Sequence, residues 1–289
     1  MNIYFSSSQN WDKKAFEEVN KKISVLISNE YIDSWIRKDK EALRALIPLL
    51  KDNFIFDSGA FTVWKSGGRV DFEKYIDRCI ELNEFFEGKF IAVNLDLIPG
   101  KFGEKPSEIN IEESCQKSFE NYLYFKSKFK GKIMPVFHQH DTYQWLDKYI
   151  ELKPPILGIS PANDMTTMGR IPFLDECFKK TRDITPCHGL AVLSQRLLER
   201  YPWYSTDAST FASQTGRGSV FYFEKGKIKN YRYREVEKSK IHGQFNQMDN
   251  LGTKNHQNRR VSAIKAILEL ENHINNLWKS RGITWQPIL

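Results

Sequence analysis

The chain has 289 residues, of which 40% are hydrophobic and 27% are charged, and its net charge is +7. This is the composition of a globular protein with a sizeable core, which excludes a disordered or fibrous chain. No apolar run is long enough to span a membrane and no signal-peptide pattern opens the chain, so we expect a soluble, cytoplasmic protein.

The four cysteines are spread along the chain without a C-x-x-C pair. Their spacing therefore indicates neither a disulfide framework nor a cysteine zinc site, and we expect reduced thiols.

Short apolar runs alternate with segments of helical period along most of the chain. The alternation recurs about eight times, which predicts stacked βα units and a closed (β/α)8 barrel of the TIM type. An open doubly wound sheet is the competitor, but no G-x-G-x-x-G follows the first predicted strand. The predicted strands are Ile3–Ser7, Phe54–Ser58, Phe90–Leu95, Ile133–His138, Ile156–Ser160, Pro186–Val192, Trp203–Asp207 and Ser219–Phe223. The predicted helices include Asp71–Phe86, Glu112–Lys128, Tyr143–Leu152 and Ile171–Arg182.

The last quarter of the chain has a different character. Ser219–Tyr233 has the pattern of a hairpin that turns at Lys225 and Gly226. Lys238–Arg259 is polar and lacks periodicity, and loops of this length are usually functional or disordered. The apolar positions of a closing amphipathic helix follow it: Ile264, Ile267, Leu270, Ile274 and Leu277. We expect a single domain over residues 1–289, with a basic insertion at 216–260.

The excess positive charge lies in this last quarter. Between Gly216 and Lys265 there are twelve Lys or Arg and four Asp or Glu, a balance of +8. Such a segment predicts a polyanionic partner, and nucleic acid is preferred to a membrane because no basic amphipathic helix is evident. A merely solvated face is the alternative. The side chains expected to contact nucleic acid are Arg217, Lys225, Lys227, Lys229, Arg232 and Arg234.

Polar residues follow the predicted strands at unusual density. In a parallel barrel the residues after the strand ends gather at one mouth, so these side chains are predicted to share a pocket. They are Asp57, Ser58, Asn94, Asp96, His138 to Asp141, Ser160 to Asp164, His188, Asp207 and Ser209.

Three interpretations of these residues stay open. Asp57 by itself could be only a turn or helix cap. A metal site of the amidohydrolase type could use His138, His140, Asp141, His188 and Asp207, since H-x-H at a strand end is typical of metal ligands. A catalytically inactive nucleic-acid-binding barrel would also explain the basic segment.

The string D-S-G-A-F, which begins at Asp57, resembles the D-S-G-G-F string of tRNA-guanine transglycosylases. Three further segments match that family in the same order: VNLDL with Asp96, CHGLAV with Gly189, and YSTDASTF with Asp207. The resemblance covers roughly residues 50 to 215. It implies that Asp57 is a general acid and base, that Asp207 is the nucleophile, and that Asp96 and the backbone of Gly189 contact the base.

The chain departs from the tRNA-acting members of that family at three places. The C-x-C-x-x-C and histidine zinc site is missing, the first glycine of G-G-L is His188, and the expected glutamine is replaced by or shifted within His138, Gln139 and His140. These departures resemble the shorter phage and bacterial relatives that insert 7-deazaguanines into DNA. The implied function is a pentosyltransferase reaction that exchanges guanine in DNA for a free 7-deazaguanine base, with tRNA as the alternative substrate.

The implied chemistry resembles retaining glycoside hydrolysis, in which one carboxylate forms a covalent sugar intermediate and a second group carries the proton. Asp57 and Asp207 are the predicted catalytic residues. The predicted base-binding residues are Ser58, Asp96, His138, Gln139, His188 and Gly189. The target base would have to be flipped out or single-stranded. We expect no metal and no organic cofactor.

Overall fold

The computed structural model describes residues 1–7, 12–36, 43–100, 104, 106–162, 164–182, 184–232 and 256–288. Nine parallel strand segments form one sheet: β1 (Asn2–Ser7), β2 (Ser24–Ser28), β3 (Phe54–Asp57), β4 (Phe90–Val93), β5 (Lys132–Met134), β6 (Val136–His138), β7 (Leu157–Ser160), β8 (Cys187–Gly189) and β9 (Ser205–Ala208). The order β5-β4-β3-β2-β1-β9-β8-β7-β6 places β5 and β6 at its two ends. Only Pro135 separates these two segments, and its carbonyl accepts the Gly158 N–H at 2.8 Å. The sheet therefore closes into an eight-stranded barrel through one interrupted strand.

Helices surround this barrel. They are α1 (Asp12–Val19), α2 (Asn29–Ile36), α3 (Ala60–Lys65), α4 (Phe72–Phe85), α5 (Glu108–Lys128), α6 (Tyr143–Glu151), α7 (Thr167–Thr181), α8 (Gln195–Arg200), α9 (Thr210–Gly216) and α10 (His256–Ser280), with a 3-10 turn at Ile47–Leu49. Three of the described helices begin with side-chain caps. Asp71 accepts the N–H of Lys74 at 3.2 Å, and Ser107 and Asn110 form a capping box at the start of α5. At the start of α7 the Thr166 hydroxyl accepts the N–H of Gly169 at 3.1 Å.

The side chains of each strand alternate between two environments. Outward residues such as Phe5, Ile27 and Phe56 join the large core under the helices. The inward residues form a second apolar cluster inside the barrel: Tyr4, Leu26, Ile55, Ile91, Val93, Met134, Val136, Ile156 and Tyr204. Toward the carboxyl end the next inward positions are polar: Ser6, Ser28, Asp57, His138 and Ser160. The interior is thus a packed core that ends in a polar layer at the catalytic face of such barrels.

The opposite end of the barrel is covered by the residues after α10. Trp285 and Ile288 pack against the inner apolar cluster, and the Ile288 N–H donates to the Tyr204 hydroxyl at 3.2 Å. A cavity of about 430 Å³ lies there, lined by residues that include Lys51 and Asp52. It contains none of the strand-end residues that the sequence singled out.

The predicted barrel and closing helix are confirmed, with two errors in the strand count. β2 was not predicted, although its five residues, SVLIS, are almost wholly buried between β1 and β3. Ser219–Phe223 was counted as the eighth barrel strand, which is wrong because, among the described residues, β10 (Ser219–Glu224) pairs with β11 (Lys227–Arg232) in a separate two-stranded sheet. A short apolar run carries no information about its partner strand, so periodicity cannot separate these cases.

The predicted hairpin is present and turns at Lys225 and Gly226, whose φ angles are 51° and 75°. Two positive φ angles fit the type I′ turn, which matches the twist of antiparallel strands. The hairpin packs on α10, where the Ser262 hydroxyl donates to the Phe221 carbonyl at 2.8 Å. Most of Lys238–Arg259 lies outside the described residues, and α10 begins within its last part, at His256.

The basic side chains predicted to contact nucleic acid are placed only in part. Arg217, Lys225 and Lys227 are exposed, whereas Lys229 pairs with Glu224 at 2.7 Å. Arg234 and the side chain of Arg232 lie outside the described part of the chain. Nucleic-acid binding by this segment stays a prediction.

All four cysteines are buried and unpaired, as their spacing indicated. Within the described residues, none of the helices combines the length and apolar character that crossing a membrane requires.

Tyr75 of α4 links the two strands that lead to Asp57 and Asp96. Its buried hydroxyl lies 2.7 Å from the Val93 carbonyl and 3.1 Å from the Phe56 carbonyl. We expect Tyr75→Phe to lower the free energy of unfolding by about 1–2 kcal/mol, because the hydroxyl is lost without exposing the carbonyls to water. Urea unfolding followed by circular dichroism measures this.

The control is Tyr124→Phe, which removes an exposed hydroxyl that donates to Glu73 at 2.6 Å. We expect its unfolding free energy to stay close to that of the wild type, since surface contacts contribute little. Equal losses in the two variants would show that the buried link between the strands adds no stability.

Candidate active site

The polar layer at the carboxyl end of the barrel brings four aspartates and one histidine together. Asp57 ends β3, Asp207 lies in β9, and Asp96 follows β4 by three residues. His138 ends β6, and Asp141 lies in the turn behind it. These five side chains are called the acidic ring below.

Asp207 is held by donors on both of its carboxylate oxygens. The Ser6 hydroxyl donates to Oδ2 at 2.6 Å, and the Ala191 N–H donates to Oδ1 at 2.6 Å. Ala191 has a φ of 54°, an uncommon left-handed conformation for a residue with a side chain. Asp207 is 7% exposed, and its carboxylate is fixed in orientation by these two donors.

His188 lies beneath Asp207, inside the barrel, and is fully buried. Its Nδ1 lies 2.8 Å from the Ser205 hydroxyl, and its Nε2 lies 3.6 Å from Asp207 Oδ1. The edge of its ring meets Tyr4, with 5.7 Å between the ring centroids. His188 therefore forms part of the floor of the acidic ring, and its Nε2 is directed toward Asp207.

The turn after β3 explains the sequence D-S-G. Gly59 has a φ of 79° and donates its N–H to Asp57 Oδ2 at 3.1 Å. A Cβ on Gly59 would lie 2.9 Å from Cγ of Glu30, so both the backbone conformation and the available space require glycine. Asp57 does stabilise the turn, as the simpler interpretation predicts, and its carboxylate also belongs to the ring.

Asp57 is the carboxyl group of the ring whose proton affinity is most relevant to chemistry near neutral pH. Burial raises its pKa, and the negative charges of Asp96 and Asp207 raise it further. Hydrogen bonds from Gly59 and Ser28 act in the opposite direction, and the resulting pKa is about 6. Asp57 can therefore both accept and release a proton under physiological conditions.

His138 lies between two of the aspartates. Its Nε2 is 2.9 Å from Asp96 Oδ2, its Nδ1 is 3.4 Å from Asp141 Oδ2, and its backbone N–H donates to Asp141 at 2.8 Å. Burial lowers the pKa of His138, but the contacts with Asp141 and Asp96 outweigh burial and raise it to about 10. His138 is thus an imidazolium at neutral pH. Both ring nitrogens are engaged, so its function is to hold Asp96 and Asp141.

The other predicted base-binding residues have structural contacts. Ser58 is fully buried, and its hydroxyl accepts the Ala60 N–H at 3.4 Å. Gln139 accepts the Ala162 N–H at 2.9 Å, which ties the end of β6 to the segment after β7. A Cβ on Gly189 would lie 3.0 Å from Trp203 and Val192, which places its open side against the outer core. Of the eight predicted site residues, the structure brings Asp57, Asp96, His138 and Asp207 together.

Sequence reasoning missed the hydroxyl groups of the site. Ser6 lies two residues after the inward Tyr4, so strict alternation along β1 could have identified it. Ser28 lies opposite Asp57 in the register of β2 and β3, and could not be found while β2 itself was unrecognised.

The metal-site interpretation loses its ligand set within the described residues. Among them, no three His, Cys, Asp or Glu side chains are arranged to hold a metal ion. His140 points into solvent as an exposed residue, while His188 is enclosed below the ring. The two histidines of the H-x-H motif, His138 in the ring and the exposed His140, therefore do not face a common site.

Comparison with known proteins gives similarity of fold. No family model and no curated protein matches the chain. A solved structure described as a fructose-1,6-biphosphate aldolase from Coccidioides immitis has a TM-score of 0.51 at 10% identity, over 98% of this chain and 92% of that one. A KDPGal structure has a TM-score of 0.46 at 7% identity, over 94% and 97%. Tryptophan synthase from M. tuberculosis has a TM-score of 0.42 at 11% identity, over 73% and 84%.

The structure with a TM-score above 0.5 shares the barrel fold and is described as an aldolase, not as a tRNA-guanine transglycosylase. The prediction that the chain exchanges guanine for a 7-deazaguanine in DNA or tRNA, as a pentosyltransferase, is wrong on this comparison. The physical reason lies in the fold. Parallel barrels place polar residues after their strands whatever they catalyse, so short motifs at those positions report the barrel more than the reaction.

The ion pairs of His138 generate the first prediction for the site. We expect His138→Gln to lower the free energy of unfolding at pH 6 by about 3 kcal/mol, because Asp96 and Asp141 would be left buried without a cation. The pKa of His138 is raised from 6.5 to about 10, so its contribution is complete below 6.5 and is lost as the pH rises through 10. Urea unfolding at pH 6 and pH 10 measures the difference.

The control for this prediction is His140→Gln, which changes the exposed neighbour and should leave stability nearly unchanged. A loss in His138→Gln that is the same at both pH values would contradict the assignment of an imidazolium between two carboxylates.

The raised pKa of Asp57 generates the second prediction. The folded state binds the proton of Asp57 between 3.8 and about 6, where the unfolded chain has released it, so stability falls as the pH rises through this window. A shift of this size corresponds to roughly 3 kcal/mol at most. We expect Asp57→Asn to be more stable than the wild type at pH 8, and the gain to shrink toward pH 4.

Thermal and urea unfolding at the two pH values test this, with Asp77→Asn on the exposed side of α4 as the matched control. A destabilised Asp57→Asn at pH 8 would mean that the carboxylate of Asp57 is not under strain from burial and its neighbours.

Proposed function

We propose that the chain is an acid–base enzyme that acts on a small organic substrate at the carboxyl end of the barrel. The observation that carries the proposal is the convergence of Asp57, Asp96 and Asp207 at the carboxyl end of the barrel. Burial and these two neighbours raise the pKa of Asp57 to about 6. A group with this pKa is present in both protonation states near neutrality, which is what a general acid or base requires.

Asp207 and Asp96 complement Asp57 as fixed negative charges. Asp207 is oriented by the Ser6 hydroxyl and the Ala191 N–H, and Asp96 is oriented by His138. Carboxylates that are held in place need no reorganisation during a reaction, so they can stabilise positive charge or accept hydrogen bonds from the substrate. The arrangement therefore supports proton transfer by Asp57 between two fixed acceptors.

The reaction class that fits best is a lyase or isomerase reaction, in which a proton is taken from one atom of the substrate and returned to another. The structure described as an aldolase belongs to this broad class of reactions by its name, and at 10% identity its similarity to this chain is one of fold. Asp57 in its ionised form would remove the proton, and the protonated form would return it after the bond has been broken or moved.

A Schiff-base route of the kind that lysine provides finds no support among the described residues. Among the described barrel strands, a lysine occurs in β5, at Lys132. Its Nζ lies 3.1 Å from Asn53 Oδ1 and from the Gly88 carbonyl, away from the acidic ring. The proposal is therefore restricted to proton transfer by carboxyl groups of this chain.

An exchange experiment with a mixed pool of candidate substrates tests the function. The protein is incubated in D2O with a mixture of sugars, keto acids, amino acids and amines, and mass spectrometry follows deuterium at carbon. We expect labelling of a compound by the wild type and a loss of about 10²–10⁴-fold in Asp57→Asn, because the proton carrier is gone. The labelling rate should rise with pH through about 6, the pKa of Asp57.

Asp77→Asn, with its change on the exposed face of α4, serves as the control and should label at the wild-type rate. Equal labelling by the wild type and Asp57→Asn would contradict the proposed role of Asp57.

A further inference from the structure

The acidic ring carries a strong excess of negative groups. It has four carboxyl groups and one imidazolium, and both nitrogens of that imidazolium are already engaged by Asp96 and Asp141. Within the described residues, no Lys or Arg makes an ion pair with any of these four carboxyl groups. A ligand that enters the ring therefore meets a negative potential, which attracts cations and repels phosphates and carboxylates.

A second observation, independent of the carboxylates, shows that the ring has unused polar capacity. His188 is fully buried, and its Nε2 makes no hydrogen bond within the described part of the structure. This nitrogen points at the ring, 3.6 Å from Asp207 Oδ1. A buried polar atom without a partner calls for an explanation, and a polar ligand bound in the ring supplies one.

Apolar side chains are exposed on the segments that follow β3, β4 and β7 and are called the rim below. Phe61 is 52% exposed in the first turn of α3, shortly after Asp57, and its ring lies 5.9 Å from that of Trp64. The Trp64 indole N–H donates to the Gly100 carbonyl at 2.8 Å, which fixes the pair beside the segment after β4. Further exposed apolar side chains on the segments after β4 and β7 are Leu97, Met165 and Met168.

The Met165 thioether also contacts the amide of Gln139 next to His138, with 2.9 Å between Sδ and Nε2. Aromatic and thioether side chains are good contacts for an apolar group, and aromatic faces also attract cations. The rim and the ring together match a ligand that has an apolar part and a positive charge.

We propose that the substrates of this site are small organic cations, such as primary amines that carry an apolar group. The ammonium group would lie among Asp57, Asp96 and Asp207, and the apolar group would lie against Phe61 and Met165. This inference rests on the proposed acid–base function and names its substrate class. The charge of the ring also argues against a substrate with phosphate groups, such as the one in the name of the similar aldolase.

The binding of a cation and the ionisation of Asp57 must be coupled. A positive charge in the ring stabilises the ionised form of Asp57, so by reciprocity the ionised form binds the cation more tightly. With a pKa of about 6, Asp57 is mostly ionised at pH 7.5 and mostly protonated at pH 5. The affinity for an amine should therefore fall by about tenfold between these two pH values.

Three probes of nearly the same shape and different charge test the substrate class: benzylamine, benzyl alcohol and benzoate. Their binding to the whole chain is measured by NMR shift perturbation and calorimetry at pH 7.5 and pH 5. We expect benzylamine to bind at least about tenfold more tightly than benzyl alcohol at pH 7.5, and benzoate not to bind. Carbon-13 NMR of the aspartate carboxyl groups should show the pKa of Asp57 lowered by benzylamine.

Two variants locate the binding. Asp207→Asn should weaken benzylamine by about tenfold or more and leave benzyl alcohol unchanged, because only the charge is removed. Phe61→Ala changes an exposed side chain that folding does not require, and it should weaken both probes by several-fold. Asp77→Asn, on the outer face of α4, should leave the binding of all probes unchanged.

The outcomes separate the substrate class from the function. Binding that does not depend on probe charge, or that is insensitive to both Asp207→Asn and Phe61→Ala, would overturn the proposed cation class. If deuterium exchange still depends on Asp57 in that case, the acid–base function stands and the substrate is neutral. Selective binding of benzylamine without Asp57-dependent exchange would instead retain the cation site and remove the enzyme function.

Discussion

The alternation of side chains along the strands of a closed parallel barrel is the constraint on which the rest of this structure depends. Each strand must point every second side chain inward, and the interior is filled by an apolar layer that contains Tyr4, Leu26 and Ile55. The next inward positions must then meet at the carboxyl end. Those positions include Asp57 and His138. Asp207 lies in its own strand, and Asp96 and Asp141 lie just beyond theirs, so the barrel gathers all five into one acidic ring whatever their distance in sequence.

Proximity of like charges gives this ring its chemical character. Asp207 is held by two hydrogen bonds, and Asp96 is paired with the His138 imidazolium. Hydrogen bonds to Asp57 only partly offset the effect of burial and of its two acidic neighbours, which raise its pKa to about 6. The burial of neighbouring acidic groups lowers the stability of the fold, and it also provides a group that can exchange protons near neutral pH.

The failure of the transglycosylase prediction has the same origin as the success of the barrel prediction. D-S-G is required locally, because Gly59 turns with a positive φ beside Glu30 while Asp57 accepts its N–H. Such a turn can recur in any barrel with an acid at this strand end. Motif order along the chain therefore reflected strand order, and the reaction depends on which groups face the opening.

The sequence by itself determined the class of fold, the positions of four helices and the identity of the strand-end acids Asp57, Asp96 and Asp207, because periodicity and residue type are local properties. It missed the first turn of two of these helices, since α5 begins at Glu108 and α7 at Thr167. Only the tertiary structure decided that β2 belongs to the barrel and that β10 does not, since a short apolar run does not specify its partner. Tertiary structure also placed His188 beneath the ring and His138 between two carboxylates. Burial and the charges of distant residues set such roles, and both exist only after the chain has closed on itself.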